Sequence, residues 1–169
     1  MCMYYPMPLL HSPFVPTPDQ PRAKGHPDRF KAMMLYVDKM VGQLVSEIDQ
    51  LGIRDRTLIL FTSDNGTDKK ITGIQDGKTV KGGKGTYSED GVNAPFIVNC
   101  PGLVPVGVET DALTDLSNML PTFVELGGGK LPKDFVVDGV SIAPYLLGNA
   151  KDTERKWIMA LGYGAAKLT

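Results

Sequence analysis

The strongest periodicity in the chain lies between residues 30 and 48. Phe30, Met33, Met34, Val37, Met40, Val41, Leu44, Val45 and Ile48 recur at steps of three and four, and Lys31, Asp38, Lys39, Gln43, Glu47 and Asp49 fill the other face. That spacing predicts an amphipathic helix with one continuous apolar stripe. Pro27 suits its first turn, where a missing N–H costs least, and Gly52 suits its end. The run at 57–62 (TLILFT) is apolar without alternation, which predicts a strand covered on both faces, as in parallel sheets packed between helices. Residues 63–90 are polar and glycine-rich and are expected to form a long loop. A second buried strand is expected at 94–99, an amphipathic helix at 114–126 ended by Gly127, Gly128 and Gly129, and a short helix at 141–147. Helix, strand, long loop, strand, helix is the layer order of an α/β fold.

The two ends read differently. Residues 1–5 are apolar and predict a buried strand leading into a loop stiffened by Pro13, Pro16, Pro18 and Pro21. The opening segment is broken by Pro6 and Pro8 and has no basic leader, so it lacks the pattern of a signal peptide. Residues 156–161 (KWIMAL) again have strand character. Both ends are therefore expected to be cuts through a larger domain.

Composition narrows the classes. A chain of 169 residues with 42% hydrophobic content can bury a core of its own. Eighteen basic and 19 acidic residues nearly cancel, which argues against a nucleic-acid binder with a clustered basic surplus. No apolar run is long enough to span a bilayer. Cys2 and Cys100 fit no zinc spacing; two buried thiols or one disulfide are open, with buried thiols favoured by their apolar contexts.

The chemistry sits in the loops. In open α/β sheets, ligands lie beyond the carboxyl ends of the strands, and Ser63, Asp64, Asn65 and Gly66 follow directly on the first strand. Asp64 and Asn65 together offer oxygen ligands to a hard divalent cation; Asp, Asn and Gly are equally the commonest turn residues. In the run at 81–86 (KGGKGT), glycines expose backbone N–H groups around Lys84, a combination suited to an oxyanion, or to a solvated turn. It lacks the spacing of a P-loop. His11, on the proline-stiffened loop, can donate a proton or bind an anion near neutral pH; a lone histidine is also commonly structural. His26, between Gly25 and Pro27, is expected to be merely exposed, and Glu89 and Asp90 to be ordinary loop charges.

Taken in order, HSPFVPTP at 11–18, MLYVDKMVGQLV at 34–45, LILFTSDNGT at 58–67, GGKGTYSEDGVNAPFIVNCPG at 82–102, DLSNMLPTFVELGG at 115–128 and DGVSIAPYLLG at 138–148 cover nearly the whole chain. In these stretches the chain resembles the formylglycine-dependent sulfatases of the alkaline phosphatase superfamily, in particular the arylsulfatase-like branch. The resemblance implies an alkaline phosphatase-like three-layer sandwich with a mostly parallel sheet, residues 1–169 being one partial catalytic domain. It implies that His11 and Lys84 contact the sulfate, and that Asp64 and Asn65 bind a divalent cation, usually Ca2+. The substrate would be an aryl or carbohydrate sulfate ester. Its sulfur would be attacked by an aldehyde hydrate made from Cys or Ser, with the metal and lysine holding the sulfate oxygens. Relatives are often exported, which implies a periplasmic or extracellular location for the intact protein.

Two departures from the family pattern stand out. The nucleophile motif, Cys/Ser-x-Pro-Ser/Ala-x-Arg, is absent: Met, Tyr and Tyr follow Cys2, and Pro, Gly and Leu follow Cys100. The upstream aspartates that complete the metal site, and the C-terminal subdomain, are absent too, so this polypeptide alone is expected to be inactive. Asn93 also stands where many relatives carry arginine or histidine. A phosphatase or phosphodiesterase of the same superfamily, or a non-catalytic homologue, are the alternative readings.

Overall fold

Residues 25–50 carry the apolar stripe, and in the computed structural model, which describes residues 1–162 and 165–168, they form one helix, α1 (Gly25–Gln50). Its N-terminal half makes the core. Met33 packs with Phe14 and Ile71, and Leu9, Leu10 and Phe30 close around them. Ala32 and Val37 are buried as well, whereas Met40, Val41, Leu44, Val45 and Ile48 are half-buried and Met34 is exposed. The cluster joins three distant segments, because Phe14 belongs to the proline loop and Ile71 to the polar loop.

The first strand, β1 (Ile59–Thr62), pairs with a strand beginning just after Pro95, at Phe96–Asn99. Ile59 lies opposite Asn99 and Thr62 opposite Phe96, so the two run antiparallel. The α/β class holds, while the direction of this pair differs from that suggested by its unbroken apolar run. Such a run reports burial, not strand direction. β1 is half-buried rather than covered on both faces. The ladder is tied down by Arg54, whose guanidinium donates to the Asn99 side chain. Cys100 is buried beside it, its Sγ 3.5 Å from the Asp55 carbonyl.

The polar loop is not structureless. It contains an antiparallel hairpin of β2 (Thr72–Gln75) and β3 (Lys78–Lys81), followed by one helical turn, α2 (Glu89–Val92). The strand at Phe96–Asn99 is thus β4. The expected helix at 114–126 divides into a 3-10 turn, Leu116–Asn118, and α3 (Met119–Leu126). Asp115 caps the first of these, its carboxylate accepting from the Ser117 N–H at 2.8 Å, while the Asn118 side chain accepts from the Asp115 N–H at 2.9 Å. A short helix, α4 (Ala143–Leu146), packs on α3, and β5 (Met159–Gly162) pairs with β6 (Ala165–Leu168).

A polar knot joins α3, the loop before α4 and the segment before β5. Asn118 and Thr122 are fully buried. Asn118 donates to the Val140 carbonyl at 2.6 Å, and Thr122 Oγ1 accepts from the Ile142 N–H at 3.0 Å. Arg155 reaches in to Asn118 at 3.0 Å, to Asp115 at 3.1 Å and to the Ser117 hydroxyl. Buried polar groups are tolerated when each finds a partner, and these do.

Two expectations are corrected. Residues 1–5 form no strand, because they find no ladder partner among the described residues. Cys2 is accordingly exposed rather than buried, and both cysteines are free thiols.

Candidate active site

The turn after β1 and the glycine-lysine loop after β3 are locked together through main-chain atoms. The Lys84 N–H donates to the Thr67 carbonyl at 3.0 Å, and the Gly66 N–H to the Gly91 carbonyl at 2.9 Å. From the other side, the Gly83 N–H donates to the Asp90 carbonyl at 3.1 Å. Thr86 Oγ1 turns back onto the Gly83 carbonyl at 2.7 Å, and Ser63 Oγ donates to the Asn65 carbonyl at 3.0 Å. Segments 63–67, 82–86 and 89–92 thereby form one dovetailed platform.

The glycines are required by that closeness. A Cβ on Gly66 would collide with the Asp90 carbonyl oxygen, and one on Gly83 would lie 2.8 Å from Asp90 main-chain and side-chain carbon. Neither glycine has a positive φ. Space, not backbone freedom, excludes a side chain at these two positions.

Mounted on the platform are three of the residues expected from the sequence to carry chemistry. Asp64 is exposed, and Asn65 and Lys84 are half-buried. The Asp64 carboxylate, the Asn65 amide and the Lys84 ammonium find no hydrogen-bond or ion-pair partner among the described residues, while the main chain beside them is engaged. A carboxylate and an amide carbonyl, adjacent and unpartnered, are the oxygen donors a hard divalent cation takes. They fit it as two of its ligands. No grouping of three or more His, Cys, Asp or Glu suited to a metal occurs among the described residues.

His11 is exposed and reaches the platform only indirectly. Leu9 and Leu10, just before it, pack on the cluster containing Ile71, and the Ile71 carbonyl accepts from the Gly82 N–H at 2.9 Å. Its Nδ1 lies 2.6 Å from the Ser12 carbonyl. A carbonyl only accepts, so Nδ1 carries the proton and Nε2 is left for proton exchange. No hydrogen bond or ion pair joins His11 to Asp64, Asn65 or Lys84. The structure therefore brings together the Asp64–Asn65 turn and the Lys84 loop, with the histidine held on a neighbouring loop.

The remaining expected residues have structural parts. His26 is exposed, edge-on to Phe14 at 5.8 Å. Asp90 acts through its carbonyl rather than its carboxylate. Asn93 bonds Glu89 across the turn of α2 at 3.3 Å, so the Asn93–Glu89 pair holds the end of the platform. Thr86 and Gly91 also hold this frame; the only sign of either in the sequence is its place in the stretch after Lys84.

Comparison with known proteins gives a consistent result. The family model described as Sulfatase matches residues 10–129. Steryl-sulfatase of Rattus norvegicus is 32% identical over 128 residues, which cover 72% of this chain and 22% of that protein. Arylsulfatase A of Bos taurus is 37% identical over 131 residues, covering 75% of this chain and 25% of that protein. Among solved structures, Ps i-CgsB in complex with k-i-k-neocarrahexaose aligns with a TM-score of 0.76 at 26% identity, over 95% of this chain and 37% of that one. The chain thus spans about a quarter or less of the length of these two curated relatives.

Proposed function

The chain belongs to the sulfatase family, and from that premise we propose that it supplies the cation- and sulfate-binding part of a site that hydrolyses sulfate esters. We read residues 1–169 as one part of a single catalytic domain. The observation that carries the reading is the platform: Lys84 is tied through its own N–H to Thr67, two residues beyond Asn65, and the side chains of Asp64, Asn65 and Lys84 have no partner among the described residues. Asp64 and Asn65 would hold the divalent cation through their side-chain oxygens, and the likeness to the sulfatases favours Ca2+. When bound, that cation neutralises charge on the sulfate oxygens. The Lys84 ammonium attracts a sulfate oxygen as a point charge. His11, protonated on both ring nitrogens, gives the Nε2 proton to the departing alcohol and keeps the Nδ1 proton on the Ser12 carbonyl.

The nucleophile has no counterpart among these residues. Cys100 is buried against the Asp55 carbonyl, and neither cysteine stands in the family motif. Aryl and carbohydrate sulfates are both compatible with the platform, and the family's exported members suggest a periplasmic or extracellular setting.

The experiment is a turnover assay on the intact protein with 4-nitrophenyl sulfate. Hydrolysis is expected to be lost on chelation and restored by calcium, and Lys84→Ala is expected to lower kcat by roughly 10²–10³, as for removal of one oxyanion donor. The 169-residue chain alone is expected to give no turnover in excess calcium; hydrolysis by it would overturn the assignment of the nucleophile elsewhere. Faster turnover of 4-nitrophenyl phosphate than of the sulfate would move the site to phosphoester chemistry.

A further inference from the structure

Between the two halves of the platform the chain makes an excursion that the catalytic reading leaves unused. β2 and β3 form a hairpin whose turn residues, Asp76 and Gly77, have φ of 50° and 75°, as in the type I′ turn that suits a tight two-residue hairpin. All eight strand residues are exposed. The base is nevertheless fixed, since the Gly82 N–H bonds to the carbonyl of buried Ile71. β3 then runs directly into Gly82, Gly83 and Lys84. The hairpin is an arm rooted in the core and continuous with the sulfate-binding loop.

Its charge is unlike that of the rest of the chain. Residues 68–84 hold five lysines against two aspartates, within a chain of net charge −1. Lys78 and Lys81 have no carboxylate partner among the described residues. The register sets Lys81 opposite Thr72, and Ile74 opposite Thr79, on one face; Lys78 lies opposite Gln75, and Val80 opposite Gly73, on the other. Each face therefore presents one ammonium, one exposed aliphatic group and hydroxyl or amide groups. Those are the contacts a sulfated sugar offers: anionic groups, apolar C–H faces and hydroxyls. At about 3.3 Å per residue, Lys81 and Lys78 lie up to roughly 10 and 20 Å along the chain from Lys84. A small aryl sulfate seated at Lys84 does not reach them; an extended polyanion does.

We propose that the β2–β3 hairpin is an arm that binds the neighbouring sulfate groups of an extended sulfated carbohydrate while one sulfate occupies the Lys84 loop. The proposal rests on the sulfatase reading for its second half only. In the intact protein, Lys78→Gln with Lys81→Gln is expected to leave kcat/KM for 4-nitrophenyl sulfate within about twofold and to lower it roughly tenfold for a sulfated hexasaccharide at low salt. The gap should close as salt screens exposed charges. Equal losses on both substrates, or none on either, overturn the arm. A separate measurement needs no turnover: fluorescence anisotropy of a labelled sulfated hexasaccharide on the 169-residue chain. The double variant should weaken that binding roughly tenfold, and the desulfated sugar should not bind. Binding with these properties, but no sulfate-ester hydrolysis by the intact protein, leaves the arm standing and removes the sulfatase reading. Equal affinity for duplex DNA of matched charge marks the hairpin as an indiscriminate polyanion contact and overturns the proposal.

Discussion

The Lys84 N–H donates to the Thr67 carbonyl at 3.0 Å, and this one main-chain bond joins the loop carrying the ammonium to the turn carrying Asp64 and Asn65. The whole β2–β3 hairpin lies between the two residues in sequence. Asp68 begins that excursion: its carbonyl accepts from the Ile71 N–H at 2.9 Å and its carboxylate from the Lys70 N–H at 2.8 Å. The chain leaves the platform through one tight turn and returns to it through Gly82 and Gly83. Whatever the hairpin does, the two ends of its path are pinned at neighbouring points.

Placing a methyl group on Gly83 should loosen the platform. The added Cβ would lie 2.8 Å from Asp90 carbon atoms, so main chain must shift. Gly83→Ala is expected to destabilise by roughly 1–3 kcal/mol, the usual cost of overpacking. Gly42→Ala, where nothing lies within 4 Å, is the control and should not destabilise. Urea unfolding of both variants checks this, and matching midpoints would refute the close approach.

Removing the Arg155 guanidinium should cost more than removing a surface charge. Its side chain is 6% exposed and donates to both Asp115 and Asn118. Arg155→Ala leaves those acceptors short of a donor and is expected to cost about 2–4 kcal/mol. Thr122→Val, which strips the acceptor from the Ile142 N–H, should cost about 1–2 kcal/mol. A denaturation midpoint for Arg155→Ala no lower than that for exposed Lys151→Ala would contradict the knot.

The Lys39 ammonium donates to both Asp19 oxygens, at 2.9 and 2.8 Å, and these hydrogen bonds hold its pKa above the ordinary 10.5. A raised folded pKa contributes stability that is complete below the ordinary value and is lost as pH rises through the raised one. On the alkaline side, the Lys39–Asp19 contact should therefore persist through neutral pH and be lost only in strong alkali. In Asp19→Asn the Lys39 titration, followed by NMR, should move down. An unmoved titration would show that Asp19 is not its cause.

Much of the fold is legible in the sequence, and what is not has physical causes. The stripe from Phe30 to Ile48 marks α1 because helical periodicity is a local property. The hairpin is harder to see, although Asp76-Gly77 between two short β-prone runs is a strong turn signal; the surrounding glycines and lysines give the segment the composition of a loop. Asp64, Asn65 and Lys84 can be named from residue type and position. Their shared framework cannot, since the main-chain bonds that join its segments leave little trace in side-chain identity beyond the closely packed Gly66, Gly82, Gly83 and Gly91. The Arg155 knot is invisible for another reason: its partners lie 37 and 40 positions away. Strand direction in the β1–β4 pair is equally beyond reach, because burial alone does not encode it.

The bonds that join the platform's segments to one another run between main-chain carbonyls and amides, and this separates two kinds of change. Substitutions at the hairpin's exposed positions can retune which molecules are welcomed without disturbing where the ammonium stands. A lineage could therefore drift in appetite while its aim stayed put.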